Sequence, residues 1–108
     1  MSKILIFAGT VEGRILAEYL IRVGVTIHVC VATEYGEKLL PKGDKISITS
    51  KRLDITDMKK LMMDKQVITV IDATHPYAVE VSKNIKQACM ELNIDYLRML
   101  RKSIQEQV

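Results

Sequence analysis

The stretch KILIFAGTVEGRILAEYL, residues 3–20, decides the fold. Its first six residues form a nearly continuous apolar run, the pattern of a strand covered on both faces in a parallel sheet. The turn GTVEGR follows at 9–14. Beyond it Ile15, Leu16, Tyr19, Leu20 and Val23 recur at roughly 3.6-residue spacing, a helix that Gly24 closes. Strand, glycine turn and helix in that order open a βαβ unit.

The same rhythm continues outward. Val25 to Ala32 is rich in β-branched residues and reads as a second strand. TEYGEKLLPKG at 33–43, punctuated by Gly36, Pro41 and Gly43, reads as a loop. Lys45 to Thr49 alternates as a short third strand. Asp54 to Lys65 carries Met58, Leu61 and Met62 at helical spacing, and Val67 to Ile71 is a fourth buried strand. In DATHPY, residues 72–77, Pro76 suits the first turn of a helix, where its missing N–H costs nothing. That helix is expected to run to about Leu92 with Tyr77, Val81, Ile85, Ala88 and Leu92 as its core stripe. Asp95 to Leu100 is a fifth strand, and RKSIQEQV at 101–108 is polar and unpatterned.

Strands alternating with helices call for a parallel sheet with right-handed crossovers. The expectation is an α/β, Rossmann-like three-layer domain over residues 1–101. Its five-stranded sheet has the order 3-2-1-4-5, with a polar tail at 102–108. Ligands in such sheets bind at the carboxyl ends of the strands, beside the reversal between the first and fourth. The loops GTVEGR and DATHPY therefore carry the functional question.

With 108 residues, 48% of them hydrophobic, the chain holds one compact domain and has no room for a second. Sixteen basic and thirteen acidic side chains leave +3, scattered along the chain. This does not indicate nucleic acid. It suits an anionic ligand, and equally an ordinary solvated surface. The sequence has no apolar run of about eighteen residues and no signal pattern after Met1, so no membrane association and a cytoplasmic location are expected. Cys30 and Cys89 lie far apart inside apolar segments, without CxxC or a neighbouring His. Buried thiols are expected rather than a disulfide or a metal site.

A phosphate site after the first strand needs small residues and a helix start whose free N–H groups face the ligand. Gly9, Thr10, Val11 and Gly13 supply them. Against the GxGxxG register Gly13 takes the third glycine's place, while Ala8 and Thr10 hold the first two, so an empty strand-to-helix turn fits the same residues. Glu12 either caps the helix or accepts hydrogen bonds from a ribose or a nicotinamide amide.

At the end of the second strand stand Ala32, Thr33 and Glu34, where a carboxylate reads the adenosine ribose. Glu34 would accept from a 2′-OH and repel a 2′-phosphate, slightly favouring NADH, whereas Arg52 or Lys51 swinging across would favour NADPH. Asp72, Ala73, Thr74 and His75 converge at the end of the fourth strand. His75 is the candidate proton donor near neutral pH, or else a turn residue.

Three segments, ILIFAGTVEGRILAEYL (4–20), VATEYGEKLLP (31–41) and IDATHPYAVEVSKNI (71–85), resemble the precorrin-6A reductase family in its cobalt-precorrin branch. DATHP is the most specific piece, and the run from Ala88 to Arg98 agrees. The resemblance implies a reductase delivering hydride from NADH or NADPH to a ring double bond of a corrin-precursor tetrapyrrole. It implies that Gly9, Thr10, Glu12, Thr33, Asp72, Thr74 and His75 line the cofactor site, with Tyr77 near the macrocycle. It also implies a second α/β domain that the chain lacks. An alternative is therefore a truncated, non-catalytic nucleotide-binding module, and exposed edges would favour a homo-oligomer or a missing-domain partner. Lys51-Arg52-Leu53, Arg101 followed by Lys102 and Ser103, and the absence of Trp depart from the family pattern.

Overall fold

The structure, a computed structural model, describes residues 3–100. Five parallel strands, β1 (Ile4–Ala8), β2 (Ile27–Val31), β3 (Ile46–Ser50), β4 (Thr69–Ala73) and β5 (Asp95–Arg98), lie in the order β3-β2-β1-β4-β5. The connections carry α1 (Val11–Arg22), α2 (Glu34–Lys38), α3 (Ile55–Asp64) and α4 (Val79–Leu92). Fold class and strand order are those expected. Arg101 and the tail at 102–108 lie outside the described residues.

The core divides by face. Leu5, Phe7, Cys30 and Val70 meet Met58 and Met62 of α3 and Ile85, Ala88 and Cys89 of α4. On the opposite face Ile6, Ala8, Ile27, Val29 and Val31 meet Ala17 of α1 and Leu40, which follows α2. Because β1 and β2 are covered on both sides, they read as continuous apolar runs rather than alternations. Both cysteines are free and buried; burial pushes the Cys30 thiol up to about 12 and the Cys89 thiol up to about 11, the latter also through the Asp72 charge.

Helix boundaries follow from local chemistry. Thr10 caps α1 by accepting from the Gly13 N–H, and Asp54 and Asp57 form a reciprocal capping box at the start of α3. Three helices end through a left-handed residue: Gly24 (φ 91) after α1, Gln66 (φ 55) after α3 and Asn93 (φ 58) after α4. In each, the following residue's N–H returns to a last-turn carbonyl: Val25 to Leu20, Val67 to Met62, Ile94 to Cys89.

Several expectations are corrected. Residues 34–38, read as part of a loop, form α2, because Thr33 accepts from the Gly36 N–H and closes a helical turn. β4 begins two residues later than the apolar run suggests: the Val67 N–H is spent on Met62, so pairing with β1 starts at Thr69. Pro76 does not open α4. It occupies the second position of a turn closed by Ala78 N–H to His75 O at 2.9 Å, and the helix starts at Val79. Tyr77 is consequently 88% exposed and outside the core stripe. In α1 the inward stripe is Gly13 and Ala17 flanked by Leu16, Leu20 and Ile21, leaving Ile15, Tyr19 and Val23 more than half exposed. Gly13 sets that rotation, since only a residue without a Cβ sits against Ala8 and Ala73.

Candidate functional site

A cavity of about 680 Å³ opens at the carboxyl ends of β1, β2 and β4, beside the β1–β4 reversal. Its walls are the first loop and start of α1 (Ala8 to Glu12, Arg14), the end of β2 with α2 (Val31 to Thr33, Tyr35, Gly36, Leu39, Leu40), and Thr74 to Pro76 with Met99 and Leu100. The volume lies within the range typical of cofactor clefts, roughly 300–1,000 Å³.

The two loops are bound to each other. Gly9 N–H donates to Ala73 O at 3.2 Å and the Thr10 hydroxyl donates to the same oxygen at 2.9 Å, while that hydroxyl oxygen accepts from Gly13 N–H. A Cβ on Gly13 would stand 2.9 Å from the Ala73 Cβ, closer than carbon atoms tolerate, and a tight 3.2 Å from the Ala8 Cβ. Gly13 thus plays the part of the third glycine of a dinucleotide fingerprint, close helix-to-strand packing, without touching a ligand. The start of α1 is left facing the cavity, where orphan first-turn amides and the helix dipole favour an anion.

Beneath the second loop lies a polar hub. Asp72 is fully buried, at 0% exposure. Its carboxylate accepts from the Thr74 hydroxyl (2.7 Å) and amide (3.1 Å), the Tyr96 hydroxyl (2.7 Å) and Arg98 Nη1 (3.2 Å). Burial draws its pKa upward, but hydrogen bonds from Ser82, Thr74 and Tyr96 outweigh that and hold it below the ordinary carboxylate range. The Tyr96 phenol is pushed up by burial and by its bond to Asp72. Arg98 Nη1 also donates to the carbonyls of Asp72 (3.0 Å) and Thr74 (2.9 Å). The loop is therefore fixed from below, with the Thr74 hydroxyl and amide both tied to Asp72.

His75 is exposed, its Nδ1 accepting from the Tyr77 N–H at 3.2 Å and its ring 4.9 Å from that of Tyr77. An accepting Nδ1 places the neutral imidazole's proton on Nε2.

Of the residues singled out in the sequence, Gly9, Thr10, Val11, Glu12, Thr33, Thr74 and His75 share the cavity. Gly13 and Ala73 pack beneath it, and Asp72 is sealed in the hub. Glu34, the first residue of α2, and Arg52, in the loop after β3, are exposed and outside the lining, and Tyr77 stands beyond Pro76. Sequence reading missed Arg14, Tyr35, Leu39, Leu40, Met99 and Leu100 as lining, and Tyr96 and Arg98 as supports. Thr33 three residues before Gly36, with Tyr35 and Leu39 four apart, was the available sign of α2.

The sequence profile of the family described as Precorrin-6x reductase CbiJ/CobK matches residues 3–108. The cobalt-precorrin-6A reductase of Methanocaldococcus jannaschii is 39% identical over 72 residues, covering 65% of this chain and 28% of its own length. That of Priestia megaterium is 33% identical over 100 residues, covering 93% and 39%. A solved structure described as CobK precorrin-6A reductase superposes with a TM-score of 0.79 at 25% identity, covering 94% of this chain and 40% of that one. The chain thus spans about two-fifths or less of the length of these relatives.

Proposed function

The chain belongs to the precorrin-6x reductase family, and from that premise we propose that it is the NAD(P)H-binding part of a reductase acting on a ring double bond of a corrin precursor in cobalamin biosynthesis. One observation carries the reading: the glycine loop after β1, the end of β2 and the loop after β4 line a single cavity at the sheet's reversal point. That is where an open parallel sheet takes a dinucleotide.

The residues present fit such a ligand. The first turn of α1 receives a pyrophosphate on its amides, and Gly9 lets backbone approach it. The Gly9 N–H donates to Ala73 O, so the position also ties the first loop to the end of β4. The exposed Tyr35 ring, with Ala32, Leu39 and Leu40, offers an apolar wall for adenine. Thr74 and Glu12 offer polar atoms to ribose hydroxyls or the carboxamide. When bound, NAD(P)H supplies the hydride. His75 holds a proton on Nε2 at the mouth of the cavity, the position of a donor to the reduced ring, and Tyr77 stands beside it at the rim where a macrocycle would lie.

Titrating the chain with NADH and NADPH while following nicotinamide fluorescence tests the reading. A saturable rise is expected with at least one of them, and a flat response to both overturns it. Adding a corrin precursor and following NAD(P)H oxidation separates a catalytic unit from a binding module.

A further inference from the structure

We propose that this chain forms a two-fold dimer in which α1 of each copy lies across the bare β4–β5 face of the other, with Arg22 of each copy against Asp95 of the other.

The sheet is covered unevenly. On one face α3 and α4 pack together, with α4 against β4 and β5; on the other, α1 rests on β1 and β2, and α2 on β2 and β3. No described helix covers β4 and β5 on the α1 side. Exposure along the ladder shows the consequence. Val70 and Asp72, on the α4 side, are 0% exposed, whereas Ile71 between them is only half-buried and its ladder partner Leu97 is 56% exposed. Neighbouring strands lie about 4.8 Å apart and packed helices about 10 Å apart, so two uncovered strands leave room for one helix. The lengths agree as well: the 12 residues of α1 span about 18 Å, and the five of β4 about 17 Å.

A second copy carries the helix that fits. The outward face of α1 presents Val11, Ile15, Tyr19 and Val23 at four-residue intervals, each more than half exposed, opposite the Gly13 and Ala17 that seat the helix on its own sheet. Such an apolar ridge on the solvent side of a helix matches a floor made of Ile71 and Leu97. Charge then selects the pairing. Asp95 opens β5, exposed and two residues before Leu97, so both project from the same face. Because α1 runs from the carboxyl end of β1 back to the end where the strands begin, Arg22, exposed in its last turn, lies level with Asp95. Neither residue enters an ion pair among the described residues. A two-fold axis parallel to α1 keeps the helix ends of both copies level and brings Arg22 of each onto Asp95 of the other. That contact is isologous and closes at two copies. One chain supplies ridge, floor and both charges, which is what a self-complementary surface requires.

Sedimentation equilibrium of the purified chain over a concentration series is expected to show a reversible monomer–dimer equilibrium with no larger species. Arg22→Glu and Asp95→Arg each set like charges against one another at both contacts, and each should weaken the dimer by about tenfold or more. An equimolar mixture of the two variants should regain the affinity of the unaltered chain, because in the mixed pair both contacts again join opposite charges. Leu97→Glu, which would bury a carboxylate in the floor of the groove, should leave a monomer. Far-UV circular dichroism checks that each variant keeps its fold, as substitutions at exposed positions should. A chain that stays monomeric at every concentration leaves the face to a different occupant and overturns the proposal. So does a dimer indifferent to both charge reversals, or a mixture no tighter than either variant alone. The series on the unaltered chain needs no variant, so a monomer is detected even if a substitution impairs folding.

Discussion

His28 sits in the middle of β2, 3% exposed, with Nδ1 against the Ser47 hydroxyl at 2.6 Å and Nε2 against the Thr49 hydroxyl at 2.8 Å, both from β3. The two hydroxyls rotate to serve either tautomer, so the neutral ring is satisfied without a charge. Burial, with the nearby Lys65 charge, lowers its pKa from 6.5 to about 4. The unfolded chain therefore binds this proton more readily than the folded one. Its contribution to stability is complete above pH 6.5 and is lost as the pH falls from 6.5 towards 4, by at most about 3 kcal/mol. Urea unfolding at about pH 7 and about pH 5 should show that fall, and His28→Gln should flatten it. An equally steep fall in the variant would assign the effect to other groups. In the sequence this histidine sits unremarked within an apolar run, because its partners are two hydroxyls on a different strand. Cys30, two residues on, was legible as a buried thiol from its apolar neighbours alone.

At the scale of elements, the strands and three long helices could be read from periodicity, because each buries a face whose spacing matches its geometry. Contacts between elements could not. The segment DATHPY announces polar convergence, yet nothing in it shows that Asp72 turns inward to Tyr96 and Arg98. Those residues stand 24 and 26 positions later on β5, where alternation with Leu97 looks like an ordinary half-buried strand. The ladder decides it: Asp72 pairs with Arg98 across β4 and β5, which places both side chains on one face. Arg98 thereby ties the β4–α4 loop to the edge strand through its bonds to Asp72 and Thr74. Arg98→Met would leave the Asp72 carboxylate buried without its cation, a loss of about 3–5 kcal/mol. Chemical denaturation of Arg98→Met, Asp72→Asn and the double variant checks this. The double variant should lose clearly less than the sum of the singles, and strict additivity would mean that the pair does not act as a unit.

For the molecule as a whole, the order 3-2-1-4-5 brings together loops that are more than sixty residues apart, Thr10 donating to Ala73 O at a separation of 63. The cavity has walls from β1, β2, the loop after β4, the residues after β5 and two helices, so it exists only when the sheet is assembled. A ligand of that cavity binds the folded chain and not the unfolded one, and by mass action it must raise stability. At a free concentration of about 100 times its dissociation constant the gain is about 2.7 kcal/mol. In a domain of about 100 residues each kcal/mol moves the melting temperature by roughly 4–8 °C, so a saturating nicotinamide dinucleotide should raise it by roughly 10 °C or more. The rise should scale with the logarithm of ligand concentration and vanish for nicotinamide alone, which does not reach the α1 amides. A cofactor that binds by fluorescence yet leaves the melting temperature unchanged would have to bind the unfolded chain equally well, which a cavity drawn from both halves of the sheet forbids.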